Sequence, residues 1–410
     1  MARPDLLARL LEAQTLRARS DLLRRVRTID EVDGPRVVVD GHSLINFASN
    51  DYLGLAQHAA LHAALVRGAT EWGVGATASH LLGGHRREHE RLERKLAEWT
   101  GRERALLFST GYMANLAVIA TLLRDGDLCV QDKLDHACLI DGAKLAGCDL
   151  KRYLHADVGS ARRQLHSQPK CAAMLATDGV FSMDGDIAPL AALASLCKEE
   201  RATLFVDDAH GIGVVGNDGA GSVHTAGLNA TDVPLLMATF GKALGTSGAF
   251  VAGAADVIDA LAQFARPYIY TTAMPPALVA ATGAAIDIVR FETWRRDKLR
   301  GLIAHFRDGA QRRGFTLLPS STPIQPVLIG DAARASDVAI ALEKSGFYVP
   351  SIRPPTVAEG TARLRVTLTA AHAESDVEAL LDAIVRATER QSAPKRAAHA
   401  ERARRARSAH

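Results

Sequence analysis

The sequence lacks the features that mark secreted or membrane proteins. It contains only five cysteines among 410 residues, and no two of them form a CxxC pair. Its first residues, Met1 to Asp5, carry no apolar signal segment, and no apolar run reaches the roughly 18 residues that a membrane helix needs. These absences argue against secretion and membrane insertion, and they predict reduced thiols in a cytoplasmic protein.

An excess of charge of one sign is also missing. The net charge is +3, and residues 391–410 alone contain five arginines, one lysine and one glutamate. The positive charge therefore belongs to this tail, which we expect to be poorly ordered, and the body shows no basic excess that would predict a nucleic-acid partner. With 48% hydrophobic and 23% charged residues, the chain has the composition of a globular protein. Its length exceeds what a single hydrophobic core usually serves, so we expect two structural units or one large domain with appendages.

Short apolar runs alternate with helical segments from about residue 50 onward. Such runs lie at 128–130, 204–206 and 235–237, and segments with helical spacing, such as 189–200, separate most of them. This alternation predicts βαβ units and an α/β fold with a mainly parallel sheet covered on both faces. Ligands of such a sheet are expected at the carboxyl ends of its strands.

The same pattern divides the chain into four parts. We expect an N-terminal helix and β-hairpin arm at 1–48, a large domain at 49–285, a small C-terminal α+β domain at 286–390 and the tail at 391–410. Leucines at roughly helical spacing between Asp5 and Val26 predict an amphipathic helix that packs on the body or on a partner subunit. A long helical stretch is expected from 275 to about 315.

Lys242 is the first candidate for chemistry. It follows a short apolar run and is surrounded by small residues, among them Gly241 and Gly245. Most lysines are solvated, and this one taken alone fits that description. The alternative is an amine held in a pocket, where glycines allow close approach and the amine attacks the carbonyl of a cofactor.

The stretch 205–211 is the second candidate. It places Asp207 and Asp208 at the end of an apolar strand and His210 three residues further on. Neighbouring strand residues point to opposite faces, so one carboxylate can face a ligand at the edge of the sheet. A solvated carboxylate pair with a capping histidine is the simpler alternative.

Two weaker signals complete the set. His136 follows the apolar run 128–130 and, taken alone, is more typical of a structural histidine. The turn 109–115 begins a helix whose backbone N–H groups suit a phosphate, to which Thr239 can add a hydroxyl. An amine, a strand-end carboxylate, a helix N-terminus and a flat imidazole together describe a site for pyridoxal 5′-phosphate (PLP).

These motifs, in this order, resemble those of the α-oxoamine synthases, PLP-dependent enzymes with the aspartate-aminotransferase fold (fold type I). The resembling segments are NFASNDYLG (46–54), GVFSMDGD (179–186), VDDAHG (206–211), TFGKALG (239–245) and TARLRVTLT (361–369). Segments 266–275 and 352–357 are most similar to the branch that condenses L-alanine with pimeloyl-CoA or pimeloyl-acyl carrier protein in biotin synthesis. The resemblance implies a mainly parallel central sheet, a smaller C-terminal α+β domain and a cytoplasmic homodimer.

The resemblance also implies roles for the matching residues. Lys242 binds the cofactor aldehyde covalently and removes the α-proton of the amino acid, Asp207 pairs with the pyridine nitrogen, and His136 stacks on the ring and polarises the thioester. The remaining implied cofactor contacts are His210, Ser182, Gly111, Tyr112 and Thr239. The implied substrate contacts are Arg24, Asn50, Arg353 and Thr356.

Two positions depart from the pattern of the resembling family. Asp208 stands where many relatives carry Glu, which we expect to be neutral because this side chain points away from the ring. Segment 75–84 differs from the Gly/Ser-rich version of several relatives and borders the substrate region, so the acyl pocket is not predicted.

Other functions compete with this interpretation. His85, Glu88 and His89 match the H-x-x-E-H pattern of inverted zinc peptidases, with His80 nearby, although a solvated first helical turn explains the pattern as well. A PLP-binding protein without catalysis is another alternative. A third is a related synthase that uses glycine or serine, as 2-amino-3-ketobutyrate CoA ligase does.

Overall fold

The structure, a computed structural model, describes residues 3–19, 22–23 and 26–389. The tail predicted at 391–410 and the substrate contact predicted for Arg24 lie outside these residues. The chain begins with α1 (Leu6–Arg19), β1 (Ile29–Asp33), β2 (Arg36–Val39) and β3 (His42–Asn46).

A long α/β region follows. Its elements are α2 (Ala59–Trp72), a 3₁₀ turn (His80–Leu82), α3 (Arg87–Thr100), β4 (Arg104–Phe108), α4 (Gly111–Leu122), β5 (Leu128–Asp132), α5 (Ala137–Ala146), β6 (Asp149–Tyr153), α6 (Val158–His166), β7 (Ala173–Asp178), α7 (Leu190–Glu200), β8 (Thr203–Asp207), α8 (Ser222–Thr225), β9 (Leu235–Thr239), β10 (Ala249–Gly253), α9 (Ala255–Phe264), α10 (Arg266–Ile269) and α11 (Pro276–Phe291). The last elements are α12 (Trp294–Arg312), β11 (Ile324–Gly330), α13 (Ala332–Lys344), β12 (Phe347–Tyr348), β13 (Ser351–Ile352), β14 (Ala362–Thr367) and a helix α14 over 374–389.

The central element is a seven-stranded sheet with the order β4-β10-β9-β8-β7-β5-β6. The neighbours β9, β8, β7, β5 and β6 run parallel, whereas β10 is antiparallel to both β9 and β4. Because the five parallel strands point the same way, their carboxyl ends meet at one edge of the sheet. The loops that follow β5, β7, β8 and β9 therefore converge there.

Both faces of this sheet are covered, as the continuous apolar runs predict. In β4, Leu106 and Phe108 pack on the side of α4, α5 and α9, whereas Ala105 and Leu107 pack on the side of α3 and α11. The second of these cores continues without interruption into the C-terminal region, where it includes Phe306 and Leu364. The C-terminal elements are thus anchored to the sheet by shared apolar packing.

Two smaller sheets flank the central one. Strands β11, β14 and β13 form an antiparallel sheet, and β12 pairs in parallel with β3 of the N-terminal hairpin. This pairing joins the predicted arm to the predicted small domain. The domain boundaries at 48, 285 and 390 remain a prediction.

Some elements differ from the sequence-based expectation. The long helix expected over 275–315 is two helices, α11 and α12, separated at Glu292 and Thr293, where no proline or glycine signals a break. Strands β1 and β6 were not predicted, because β1 is exposed throughout and the polar β6 lies at the edge of the sheet. Helix α1 buries none of its residues against the described body.

All five cysteines lie within the described residues and are free thiols. Among the helices of the described ranges, none combines the length and apolarity that a membrane crossing requires.

Candidate active site

A cavity of about 210 Å³ lies where the carboxyl ends of the parallel strands meet. Its lining residues are Gly111, Tyr112, Asn115, His136, Cys138, Asp178, Ser182, Asp207, Ala209, His210, Met237, Thr239 and Lys242. The lining includes all eight residues that were predicted from the sequence to contact the cofactor. They come from five separate loops and helix starts, so the fold brings them together although they span more than a hundred residues of sequence.

Lys242 lies in the turn that follows β9. The turn is closed by a hydrogen bond from Gly245 N to Lys242 O at 2.9 Å, and Gly245 has a positive φ of 64°. The ammonium has no hydrogen bond or ion pair with any described residue, and its side chain is partly buried. Burial lowers the pKa of Lys242, although Asp207 and Asp178 oppose the shift. A larger share of neutral amine is therefore present than in a solvated lysine.

Asp207 ends β8 and points into the cavity. Its Oδ2 accepts from Asn115 Nδ2 at 2.6 Å, and its Oδ1 accepts from Ala209 N at 3.0 Å. The neighbouring Asp208 points to the other face, as predicted, and accepts from the N–H and hydroxyl of Ser222 at 2.7 Å each. Only one carboxylate of the pair is therefore presented to a ligand.

Asp178, at the end of β7, is a second carboxyl group in the lining. Burial, reinforced by the charges of Asp207 and Asp135, raises its pKa well above the ordinary range of an aspartate. The raised pKa favours the protonated carboxyl group, which limits the negative charge beside Asp207.

Two histidines of the lining are neutral. His210 is buried and its Nδ1 lies 2.6 Å from the hydroxyl of Tyr52; burial and the nearby Lys242 hold its pKa well below the usual value. His136 caps α5, where its Nδ1 accepts from Cys138 N at 3.3 Å, and burial lowers its pKa as well. Because Nδ1 is an acceptor, the proton of the neutral ring sits on Nε2.

The start of α4 forms another wall of the cavity. Thr110 caps the helix by accepting from Met113 N at 3.2 Å, and the N–H groups of Gly111 and Tyr112, which precede the first intrahelical hydrogen bonds, are not used by this cap. A Cβ on Gly111 would meet nothing closer than Met237 Cε at 3.6 Å, an ordinary contact, so protein packing alone does not require glycine here. Close approach of an anion to the backbone would explain it.

Three polar residues near the cavity were not singled out from the sequence. Asn115 is fully buried, donates to Asp207, and leaves its Oδ1 without a partner among the described residues. Tyr52 is buried against His210. Arg365, also buried, donates to Ser182 O at 2.7 Å and to Asn50 Oδ1 at 3.4 Å. Buried polar residues inside a helix or strand were the available signal, but it appears only once burial is known.

The predicted substrate residues are distributed differently. Asn50 is held next to the cavity, because Tyr52 also donates to its Oδ1 at 3.2 Å. Arg353 lines a separate cavity of about 910 Å³ beside α13, and Thr356 is exposed in the same turn, where its N–H donates to Arg353 O at 3.0 Å. The lining of the Lys242 cavity contains neither residue.

The H-x-x-E-H pattern does not form a zinc site in the structure. Both ring nitrogens of His89 are engaged, with Nε2 2.8 Å from Met274 O and Nδ1 accepting from Arg86 N at 2.9 Å. His85 instead faces His80, with 2.9 Å between their Nδ1 atoms. Across the described ranges, no group of three or more His, Cys, Asp or Glu residues has a geometry that could hold a metal ion.

The groups in the cavity fit PLP. An amine without a partner can bind the aldehyde, a carboxylate fixed by two N–H donors can face the ring nitrogen, and the start of α4 can hold the phosphate. The unpaired Oδ1 of Asn115 and the unexplained space at Gly111 are what a missing polar ligand would leave. Lys242, Asp207 and Gly111 therefore mark three separate contact points for one flat, charged cofactor.

Comparison with known proteins gives matches over nearly the whole chain. Residues 42–384 match the family described as "Aminotransferase class I and II". The chain is 54% identical over 388 residues to the 8-amino-7-oxononanoate synthase of Xanthomonas campestris pv. campestris (strain B100), covering 94% of this chain and 97% of that protein.

Solved structures agree with these matches. A serine palmitoyltransferase from S. paucimobilis, solved with bound PLP–myriocin aldimine, matches with a TM-score of 0.88 and 29% identity, covering 94% of this chain and 99% of that chain. The 8-amino-7-oxononanoate synthase from Francisella tularensis matches with a TM-score of 0.75 and 30% identity, covering 85% and 99%.

The fold and the cavity thus define a PLP-dependent enzyme of the aspartate-aminotransferase type, which confirms the predicted fold class. Within the class I and II aminotransferases, the chain belongs to the 8-amino-7-oxononanoate synthase family. The roles of the individual residues remain predictions, now constrained by their geometry.

Proposed function

We propose that the chain catalyses the PLP-dependent condensation of L-alanine with pimeloyl-CoA or pimeloyl-acyl carrier protein. The products are 8-amino-7-oxononanoate, CO₂ and free CoA or carrier, a step of biotin synthesis. The observation that carries the proposal is the 54% identity to an 8-amino-7-oxononanoate synthase across 94% of this chain and 97% of that protein.

PLP is the cofactor, and different residues of the cavity would hold its aldehyde, its ring nitrogen and its phosphate. When bound, PLP supplies an aldehyde that links covalently to amines and a ring that accepts the negative charge left on the α-carbon. Lys242 would hold the aldehyde carbon, Asp207 the ring nitrogen and the start of α4 at Gly111 the phosphate. Asn115 and Ala209 N hold the Asp207 carboxylate in one orientation, which keeps it available as an acceptor.

Lys242 is also the base in this proposal. When it is not holding the cofactor, the Lys242 Nζ would accept the proton from the α-carbon of alanine. Burial favours the neutral amine that this transfer requires, since the pKa of Lys242 is lowered. After decarboxylation, the same Nζ is placed to return a proton to that carbon.

His136 supplies a hydrogen-bond donor to the cavity. Its Nδ1 is occupied by Cys138 N, so Nε2 carries the hydrogen. Nε2 has no hydrogen-bond partner among the described residues, and His136 lines the cavity, so this N–H is free to donate to the thioester carbonyl oxygen. That donation stabilises the oxyanion that forms when the alanine carbon attacks.

Arg365 is the best placed residue to bind the alanine carboxylate. Burial lowers the pKa of Lys242 and His210, and the buried Arg365 guanidinium adds to both shifts, so it lies within electrostatic range of both groups. Asn50, which accepts from Arg365, would contact the same substrate. Arg24, Arg353 and Thr356 keep their predicted role as substrate contacts.

A homodimer in the cytoplasm completes the proposal. Leu6, Leu7 and Leu10 of α1 are each at least 66% exposed, and the described body does not cover them. An apolar helix face of this kind favours burial against a second subunit. Sedimentation of the purified chain, with and without residues 1–28, would test this part of the proposal.

A turnover assay tests the proposed reaction. The holoenzyme is incubated with L-alanine and pimeloyl-CoA, and the product mass, released thiol and CO₂ are measured. We expect 8-amino-7-oxononanoate with one thiol and one CO₂ per product molecule. Glycine or serine supporting turnover in place of alanine would contradict the substrate assignment, and no turnover with any of the three would contradict the synthase function.

A further inference from the structure

His155 lies outside the cavity lining, just beyond the end of β6, and bridges two carboxylates. Its Nδ1 is 3.0 Å from Asp132 Oδ1, and its Nε2 is 2.9 Å from Asp186 Oδ2. Its ring meets Phe181 edge-on, with centroids 4.5 Å apart and planes at 86°. A carboxylate only accepts hydrogen bonds, so both contacts are satisfied only when both ring nitrogens carry a hydrogen. With both aspartates ionised, this geometry requires a doubly protonated, positively charged imidazole.

Each of the two carboxylates belongs to a segment that leads into the cavity. Asp132 ends β5, is fully buried and also accepts from Leu134 N and Ala156 N at 2.8 Å each, which fixes the turn that presents His136. Asp186 ends the loop 181–186, which is closed by the hydrogen bond from Phe181 N to Asp186 O at 3.0 Å. That loop carries Ser182 into the cavity.

We propose that His155 is a positioning residue: as a cation it ties the turn that presents His136 to the loop that presents Ser182. It thereby fixes the separation of two walls of the cofactor cavity, an inference that rests on the proposed PLP site. His155 touches neither the cavity nor a reacting atom. Its polar contacts are with Asp132 and Asp186, which it holds at opposite edges of one ring.

The electrostatic surroundings agree with a cationic ring. Burial alone would lower the pKa of His155, but hydrogen bonds to Asp132 and Asp186 outweigh it and raise the pKa to about 10. Three further charged groups surround these partners. Arg152 donates to Asp132 O at 3.0 Å, Asp135 accepts from Asp132 N at 2.7 Å, and Asp184 lies within electrostatic range of His155 while pairing with an arginine of β14.

The protonation state can be read directly in the wild-type holoenzyme. Histidine labelled with ¹⁵N is incorporated, and the His155 signals are assigned by their loss in the His155→Gln variant. At pH 8 we expect both His155 ring nitrogens to be protonated. One unprotonated nitrogen at pH 8, or titration near the usual value of 6.5, would overturn the inference.

Cofactor binding tests the positioning role independently of turnover. Apoprotein is titrated with PLP for the wild type, His155→Gln, the charge-retaining His155→Lys, and His166→Gln. His166 is a matched control, because it also pairs with a carboxylate, Glu200 at 2.8 Å, but is 57% exposed and remote from the cavity lining.

We expect His155→Gln to bind PLP about tenfold more weakly, while His155→Lys and His166→Gln stay within about twofold of the wild type. Unchanged PLP affinity in His155→Gln would show that His155 does not position the cavity walls. An equal loss in His155→Lys would show that the positive charge is not what holds them. Either result would overturn the proposal. Neither the nitrogen signals nor the PLP titration uses alanine or a thioester. A wrong substrate assignment would therefore leave both results interpretable.

Discussion

Replacement of Glu93 by glutamine tests the electrostatics of α3, the helix that borders the 75–84 segment. Glu93 Oε1 accepts from Leu107 N at 3.2 Å, and its side chain is only 14% exposed. Burial raises the pKa of Glu93 to about 8, although the hydrogen bond from Leu107 opposes the shift. His85 Nε2 lies 3.9 Å from Glu93 Oε2, but burial lowers the pKa of His85, so no imidazolium compensates a buried carboxylate at neutral pH.

The sign and size of the effect follow from proton linkage. Between the ordinary value of 4.5 and about 8, the folded chain keeps the Glu93 proton while the unfolded chain releases it. The free energy of unfolding therefore falls as pH rises through this range and levels off above it. At about 1.4 kcal/mol per pKa unit the full interval corresponds to about 5 kcal/mol, and we expect about 3–5 kcal/mol. Glutamine keeps the acceptor for Leu107 and never ionises, so Glu93→Gln escapes this loss.

Urea unfolding of the holoenzyme at pH 5 and pH 9 measures the difference. We expect Glu93→Gln to match the wild type within about 1 kcal/mol at pH 5 and to exceed it by about 3–5 kcal/mol at pH 9. Glu98→Gln, an exposed change on the same helix, is the control and should shift neither comparison. A variant that is no more stable than the wild type at pH 9, or equally stabilised at both pH values, would refute the reasoning.

Three shorter predictions concern the site. Gly245→Ala should lower the free energy of unfolding by about 2–4 kcal/mol and reduce PLP occupancy, because its Cβ would lie 2.5 Å from Ala56 N at a position with positive φ. Gly241→Ala is the control and should do neither, because the nearest atom to its Cβ would be 3.7 Å away. Thermal melting and cofactor absorbance measure the two effects. Asp207→Asn should retain PLP but lose at least about a hundredfold in kcat, and normal turnover would contradict the charge pairing. His136→Phe, which keeps a flat ring without an N–H, should keep PLP affinity and lose about 10²–10³-fold in kcat; a loss of PLP binding alone would contradict its role as donor.

Much of the fold could be predicted because its strands are short, buried and separated by helices. Strands β5, β7, β8 and β9 all coincide with apolar runs in the sequence, since both faces of the sheet are covered. Strand β6, with the sequence DLKRY, escaped prediction because an edge strand needs no apolar run. Pairing between β3 and β12 could not be predicted, because it joins segments that are about 300 residues apart in sequence.

The candidate site was predictable to a similar degree and for a related reason. Asp207, Lys242 and His136 follow strands, where the architecture itself places ligands, so their position in the sequence was informative. Asn115 and Arg365 lie inside a helix and a strand, and their burial reflects partners that only the folded chain supplies. His155 was invisible for the same reason, because its two carboxylates come from different strands and loops.

The central claim is that Lys242 carries the cofactor, and covalent trapping tests it most directly. The yellow holoenzyme is reduced with sodium borohydride, digested and examined by mass spectrometry. The account predicts that the reduced PLP adduct lies on the peptide containing Lys242 and is lost in Lys242→Ala, which should also lack the visible absorbance. An adduct on another lysine, or one that persists in Lys242→Ala, would contradict the account.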